Sequence, residues 1–348
     1  MSLLQKPLSW LQNHPVLYKG QHFHVVGFGV FASLNAMTIL SVFLFYIHWN
    51  GYPPGLLELW LLPLSLVFVW LGARAMHLIS LGRKFWENPL KYLKETCFYL
   101  QGGIAGAFLW SIIFALITSI PTSIIWDGLA LGTLAGQVFG RIGCFNYGCC
   151  FGKETHLPIG FDYQNQDSKI LRIHPHLKGK PVHPAQLYKA GMNAVAALTI
   201  VVLLSTTGLP HGVLVVFFFI YHGMSRIVFE YFRYDIYIHH ARNWITYRFA
   251  LIAIVCGGIL GIAGPYIDAN FYALSPRENT FIPSFFSYYF QNIGMAVVIG
   301  SIGIVVFISY GIHGKKLGTL PFTNREANTV EEKSDYYRSR PLRNKSRL

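Results

Sequence analysis

Eight long apolar runs dominate this chain and leave little choice of fold. Residues 25–49, 56–79, 98–119 and 124–145 each extend far enough to cross a bilayer core, which is roughly 30 Å thick and takes about 20 helical residues. Residues 184–204, 212–232, 245–264 and 293–311 do the same. A soluble core helix needs one apolar stripe, whereas these runs are apolar all round. They also lack the period-two alternation of a barrel strand. Composition agrees: 53% of residues are hydrophobic and 12% charged, where soluble domains carry about a quarter charged. The expected fold is all-α integral membrane, with about seven to eight transmembrane helices.

No cleavable signal peptide is expected, because the first run begins near residue 25 and is too long for an h-region. Residues 1–22 read as an N-terminal segment and 23–264 as the transmembrane core. Residues 265–312 read as a connection plus an additional transmembrane helix. The stretch 146–183 is the longest interior connection and is expected to form a small extramembrane head, since loops of this length are commonly functional. Residues 313–348 mix charge with Ser, Asn and Pro and read as a basic disordered tail.

The net charge of +13 is unevenly spread. Connections at 50–55, 120–123 and 205–211 carry no Lys or Arg, while those near 80–97, 141–183 and 233–244 and the tail carry most. With eight spans the basic segments share one face, which the positive-inside rule places in the cytoplasm. The same residues could instead serve an anionic lipid headgroup, and no nucleic-acid partner is expected.

Polar residues gather in three clusters. The first runs from Gly140 to Gly152, where a span ends, with glycines at 140, 143, 148 and 152 that permit tight turns and close approach to a ligand. Arg141 within it is costly in lipid and so is expected to face a cavity, and its planar fork suits phosphate. A snorkelling arginine beside a glycine turn is the plain alternative. Cys144, Cys149 and Cys150 could bind metal or form a redox pair. Without a second Cys/His group at zinc-finger spacing, neither metal nor cofactor is expected. The five cysteines of the chain are too few and too irregular for a disulfide framework.

The second cluster is Arg226, Glu230 and Arg233, spaced to share one helical face, followed by Asp235. Glu230 can pair with either arginine, as an ion-paired strut or as part of a net positive stripe. The third is His183-Pro184-Ala185-Gln186-Leu187-Tyr188, in which Pro184 suits a first helical turn whose N–H groups can bind an anion. Lesser features are Arg74, the pair Gly102-Gly103, which could simply permit close helix packing, Asp127, which could cap its own helix, and His22 and His24. Physical chemistry alone reaches a site for an anionic ligand.

In that order, these clusters resemble the prolipoprotein diacylglyceryl transferase family over roughly residues 23–263. The signature turn resembles 140–152, its histidine-proline-x-glutamine-leucine-tyrosine stretch resembles 183–188, and its arginine-x3-glutamate-x2-arginine helix resembles 226–233. Gly72-Ala73-Arg74 and Gly102-Gly103 fall where the family has a glycine-x-arginine and a histidine-glycine-glycine. The resemblance implies transfer of diacylglycerol from phosphatidylglycerol to the lipobox cysteine thiol of a prolipoprotein, with release of glycerol phosphate. Phosphatidylglycerol, the lipobox segment and membrane lipids are then the partners, in the inner membrane of a bacterial cell with the active face extracytoplasmic. It implies catalytic roles for Arg226, Glu230 and position Gln101, with His22, His24 and His183 as candidates for the base. It implies substrate contacts at Arg141, Gly143, Cys144, Gly148, Gly152, Arg74, Gly102, Gly103, Gln186, Tyr188 and Arg233. Gln101 stands where the family has a histidine often assigned as the base, Cys144 where it has asparagine, and Cys149 and Lys189 where it has glutamates. A paralogue that binds lipid or lipoprotein without transfer is the alternative these departures raise.

Overall fold

In a computed structural model, the described residues are 5–94, 100–234, 240–274, 281–314 and 317, without the side chains of 83–84, 91, 94, 100–101 and 240–246. Cys97, Asp235 and nearly all of the basic tail therefore lie outside the described residues. The chain opens with α1 (Gln5–Asn13) and the strands β1 (Val16–Lys19) and β2 (His24–Val26). The helices α2 (Gly27–Trp49), α3 (Leu56–Leu81), α4 (Arg83–Glu87), α5 (Pro89–Lys94), α6 (Leu100–Thr118) and α7 (Thr122–Tyr147) follow. Next come β3 (Phe161–Asp162), α8 (Lys169–Ile173), β4 (Pro181–Val182), α9 (Ala185–Thr206) and α10 (Val213–Phe232). The chain continues through α11 (His240–Ile267), α12 (Phe281–Gln291), α13 (Ile293–Gly311) and β5 (Ile312–His313).

Among the described residues, six helices are long and apolar enough to cross a membrane: α2, α3, α9, α10, α13 and the Tyr247–Ile267 part of α11. The chain is an all-α, multi-pass membrane protein. The two other expected runs are also helical but differ in kind. The described apolar part of α6 is Gly102–Thr118. Helix α7 has 26 residues, with Ser123, Asp127 and Asn146 all buried along it. Its lower apolarity follows from its place: it packs against α2, α9 and α10, and so can present polar groups to protein instead of lipid.

Close helix approach depends on small residues. Gly72 of α3 and Gly102 of α6 touch backbone to backbone, and a Cβ on Gly106 would meet the Phe68 carbonyl. At one end of the bundle, two carboxylates cap helices other than their own. Asp127, fully buried in α7, accepts the backbone N–H groups of Gly212 (2.6 Å) and Val215 (2.9 Å) at the start of α10. Asp268 accepts Ser123 N–H (2.9 Å) at the start of α7. Asp127 thus caps a neighbour and not its own helix. Each contact satisfies N–H groups that a helix start leaves unpaired.

The other end carries the head. Its core is Phe151, Tyr163, Ile170, Leu171, Leu177 and Val182, and β3 pairs antiparallel with β4. The N-terminal segment belongs to this head. Asn146 donates to the carbonyls of Leu11 (2.7 Å) and His14 (3.0 Å), and Asn13 Oδ1 accepts Gln164 N–H (2.9 Å). The additional helix α13 runs along α2, with Ser33 donating to the Gly303 carbonyl (2.8 Å). It ends in β5, which joins the sheet β1-β2-β5 with His24 opposite His313. The chain beyond α13 therefore leaves on the head side.

Candidate lipid-headgroup site

Backbone hydrogen bonds bring the three polar clusters together. Helix α7 ends at Gly148, whose φ of 76° is the left-handed conformation that glycine adopts without strain. Gly148 and Cys149 both donate to the Cys144 carbonyl at 3.0 Å. Cys150 follows at φ 57° and the chain doubles back. Gly152 N–H then donates to the His183 carbonyl (3.0 Å), His183 N–H to Lys153 (2.9 Å) and Lys153 N–H to Phe232 (2.9 Å). Gly152 is also bridged to Arg233. The end of α7, the start of α9 and the end of α10 are thus laced into one surface. A Cβ on Gly152 would lie 2.5 Å from the His183 carbonyl oxygen and 3.0 Å from that of Phe232, so only glycine fits the crossing.

On α10, Glu230 is 4% exposed and lies between two arginines. Its Oε2 is 3.7 Å from Arg226 Nη2 and 3.4 Å from Arg233 Nη1. The buried Nε of Arg226 has no hydrogen-bond partner among the described residues. Arg141 on α7 is half-buried and acts electrostatically on Arg226 and on Lys189 of α9. Lys189 is 4% exposed. Its ammonium bonds Ser225 Oγ and sits 4.4 Å from the Tyr221 ring centroid. Tyr221 donates to Asn193 (2.8 Å), which donates to Gln137 (3.2 Å). Among the described residues, four basic side chains thus gather here with the one carboxylate of Glu230, an arrangement with basic groups in excess. Arg141 and Arg226 retain N–H groups with which to hold one.

The signature turn flanks these cations. Gln186, 1% exposed, donates to the Cys149 carbonyl at 2.7 Å. The thiols of Cys144, Cys149 and Cys150 all lie within 4.8 Å of one another. Hydrogen bonding from the Cys144 and Cys149 thiols, aided by the Arg233 and Arg141 charges, holds the Cys150 thiol well below its ordinary range against the effect of burial. The Cys149 thiol is pushed up, chiefly by its contacts with Cys144 and Cys150. His183 Nδ1 is 3.0 Å from Tyr188 Oη. Burial, and then the Lys153 charge, lower its pKa.

Comparison with known proteins decides the family. The family model described as prolipoprotein diacylglyceryl transferase matches residues 15–263. This chain belongs to the prolipoprotein diacylglyceryl transferase family. It is 27% identical over 202 residues to the phosphatidylglycerol–prolipoprotein diacylglyceryl transferase of Tropheryma whipplei (strain Twist), covering 56% of this chain and 72% of that protein. The protein of the same description from Clostridium tetani (strain Massachusetts / E88) is 28% identical over 47% of this chain and 64% of its own length. That of Wolbachia pipientis wMel is 30% identical over 50% and 64% respectively.

Within this transferase-family fold, the structure brings together Arg141, Cys144, Gly148, Gly152, His183, Gln186, Tyr188, Arg226, Glu230 and Arg233. It places the remaining expected residues differently. Arg74 is buried and donates to the carbonyls of Tyr92 (2.7 Å) and Leu93 (2.6 Å) at the end of α5. Gly102 and Gly103 pack against α3, and Gly143 packs against α2, where its Cβ would lie 2.7 Å from that of Phe31. His24 lies on β2. Gln101 is in α6, with its side chain outside the described part. Sequence reasoning missed the chain from Lys189 to Gln137. Its signal was present, because Gln186, Lys189 and Asn193 recur at helical spacing on α9, as do Gln137, Arg141 and Cys144 on α7.

Proposed function

We propose that this chain moves the diacylglyceryl group of phosphatidylglycerol to the thiol of a lipobox cysteine in a prolipoprotein, releasing glycerol phosphate. The observation that carries the reading is the group of Arg141, Lys189, Arg226 and Arg233, in which Glu230 pairs with Arg226 and Arg233 while Arg141 acts on Arg226 and Lys189. Arg141 and Arg226 hold the lipid phosphate, while Glu230 holds Arg226 and Arg233 on one face at the end of α10. As the bond from phosphate oxygen to the glyceryl carbon breaks, charge grows on the leaving phosphate, and the fixed cations stabilise it. The thiol attacks as a thiolate, so its proton must leave. Glutamine at 101 has no basic atom for it, and of the expected histidines His183 is the one laced to the site through Gly152, so His183 carries the proton away. The protein works in the inner membrane of a bacterial cell, with the head and this site on the extracytoplasmic face.

The test is lipidation of a reporter prolipoprotein in cells depleted of their own transferase. The unaltered chain restores lipidation, and Arg141→Ala and Arg226→Ala each abolish it while still reaching the membrane. Failure of the unaltered chain there refutes the transferase reading. A second reading rests on Lys189, a buried cation at a position where the family resemblance calls for glutamate. On that reading the protein holds phosphatidylglycerol without turning it over. It is favoured if native mass spectrometry finds the lipid bound and no thioether product forms.

A further inference from the structure

We infer that Cys144, Cys149 and Cys150 form a three-thiolate site for a thiophilic divalent ion such as zinc, with the open fourth position taken by the lipobox thiol of the substrate. The inference rests on the proposed transferase activity for its second half only.

The geometry supplies the ligand set. A zinc–sulfur bond is about 2.3 Å long, so sulfurs sharing one tetrahedral ion stand about 3.8 Å apart. The three Sγ atoms here all lie within 4.8 Å of one another with no ion present. The difference is about 1 Å, the scale of a change in side-chain torsion. The backbone is held on both sides of the thiols. Gly148 and Cys149 bond the Cys144 carbonyl, and Gln186 bonds the Cys149 carbonyl. Such outer contacts orient metal ligands. Without an ion, three packed thiols at the end of a span offer one another only weak hydrogen bonds. Cys256, on α11, stands apart from the cluster.

Three protein ligands and one vacant position are the pattern of a zinc site that does chemistry, whereas four protein ligands make a closed structural site. A thiol bound to such an ion is deprotonated outright. That removes the need for a basic side chain at position 101. The step balances as follows. The lipobox thiol binds and gives its proton to solvent, directly or by way of His183. Its sulfur then forms a bond to the glyceryl carbon of phosphatidylglycerol while the bond from that carbon to the phosphate oxygen breaks. Glycerol phosphate leaves with the electron pair, and the thioether, a poorer ligand, departs. No electron is gained or lost overall. Cys150 interacts electrostatically with Arg141 and Arg226, and with Arg233, so the thiolate site adjoins the cations proposed to hold the phosphate. They also balance the negative charge of a zinc ion carrying four thiolates.

The experiment uses the full chain purified in detergent with reductant and supplied with zinc. One metal ion per chain by plasma mass spectrometry is expected, lost in Cys144→Ser, Cys149→Ser and Cys150→Ser and kept in Cys256→Ser. The unaltered chain, stripped and reloaded with cobalt, is expected to show thiolate-to-cobalt charge transfer and a tetrahedral d–d spectrum. This readout does not depend on whether the serine variants fold. A lipobox peptide should shift that spectrum, and its Cys→Ser counterpart should not. Three freely alkylatable thiols with substoichiometric metal, or a disulfide among them under the same conditions, overturn the site. A cobalt spectrum indifferent to the cysteine peptide overturns its proposed role. Loss of lipidation in cells with the peptide shift intact counts against the transferase reading alone.

Discussion

Replacing Glu230 by Gln removes the carboxylate that pairs with Arg226 and Arg233, and its cost can be worked from the structure. Glu230 Oε2 faces Arg233 at 3.4 Å and Arg226 at 3.7 Å, with side chains 15% and 20% exposed. At an effective dielectric of about 20, each contact is worth about 4.5–5 kcal/mol before desolvation. Most of that gain is offset by stripping water from the charges. Removing one partner of a formed buried pair leaves the others uncompensated, which costs about 3–5 kcal/mol. The expected fall in unfolding free energy is therefore about 3–5 kcal/mol, measured by reversible SDS denaturation in mixed micelles. Arg226→Gln alone should cost less, because Glu230 keeps Arg233. The double variant should be more stable than the sum of the singles by about 1–3 kcal/mol, the coupling expected of residues in contact. Phosphatidylglycerol should recover part of the loss in Glu230→Gln, since a bound anion stabilises the folded form. A Glu230→Gln protein within about 0.5 kcal/mol of the parent, or strictly additive single variants, would refute the reasoning.

Other substitutions test the frame and the thiols. Gly152→Ala places a Cβ 2.5 Å from the His183 carbonyl, so the strand crossing must open. The expected cost is about 1–3 kcal/mol in thermal stability, together with loss of lipidation, and an unchanged melting curve would contradict the crossing. Asp127→Asn puts an amide where two backbone N–H groups need an acceptor. Hydrogen exchange at residues 212–215 should quicken, with about 1–3 kcal/mol lost; protection equal to the parent's would count against this cap. In metal-free protein at neutral pH, Cys150 should be alkylated before Cys149, because its thiol is held well below and that of Cys149 well above the ordinary value. Arg233→Gln should move the Cys150 alkylation profile to higher pH, and faster reaction at Cys149 in the parent would reverse the assignment.

The sequence determined the membrane body by itself. Bilayer thickness sets a length that apolar runs must meet, and an all-round apolar helix has nowhere else to go. The residues of the proposed anion-binding site were also visible, since a charge inside such a run has to be explained by a partner or a ligand. The sequence showed Arg226, Glu230 and Arg233 sharing a helical face because that relation is local. It did not show that Gly152 threads between His183 and Phe232, a relation made by hydrogen bonds between segments about 30 and 80 residues apart. Nor did it separate glycines that serve a turn from those that let helices touch. Gly102, Gly103 and Gly143 are at helix contacts, and only the facing helix reveals that. Arg74 went the same way, drawn to the end of α5 by carbonyls that no spacing rule locates. The convergence of Cys144, Cys149 and Cys150 was the last element that tertiary structure alone decided. Spacing put three cysteines within one short segment, but it took the left-handed turn at Gly148 and Cys150, held by Gln186, to aim their thiols at one point.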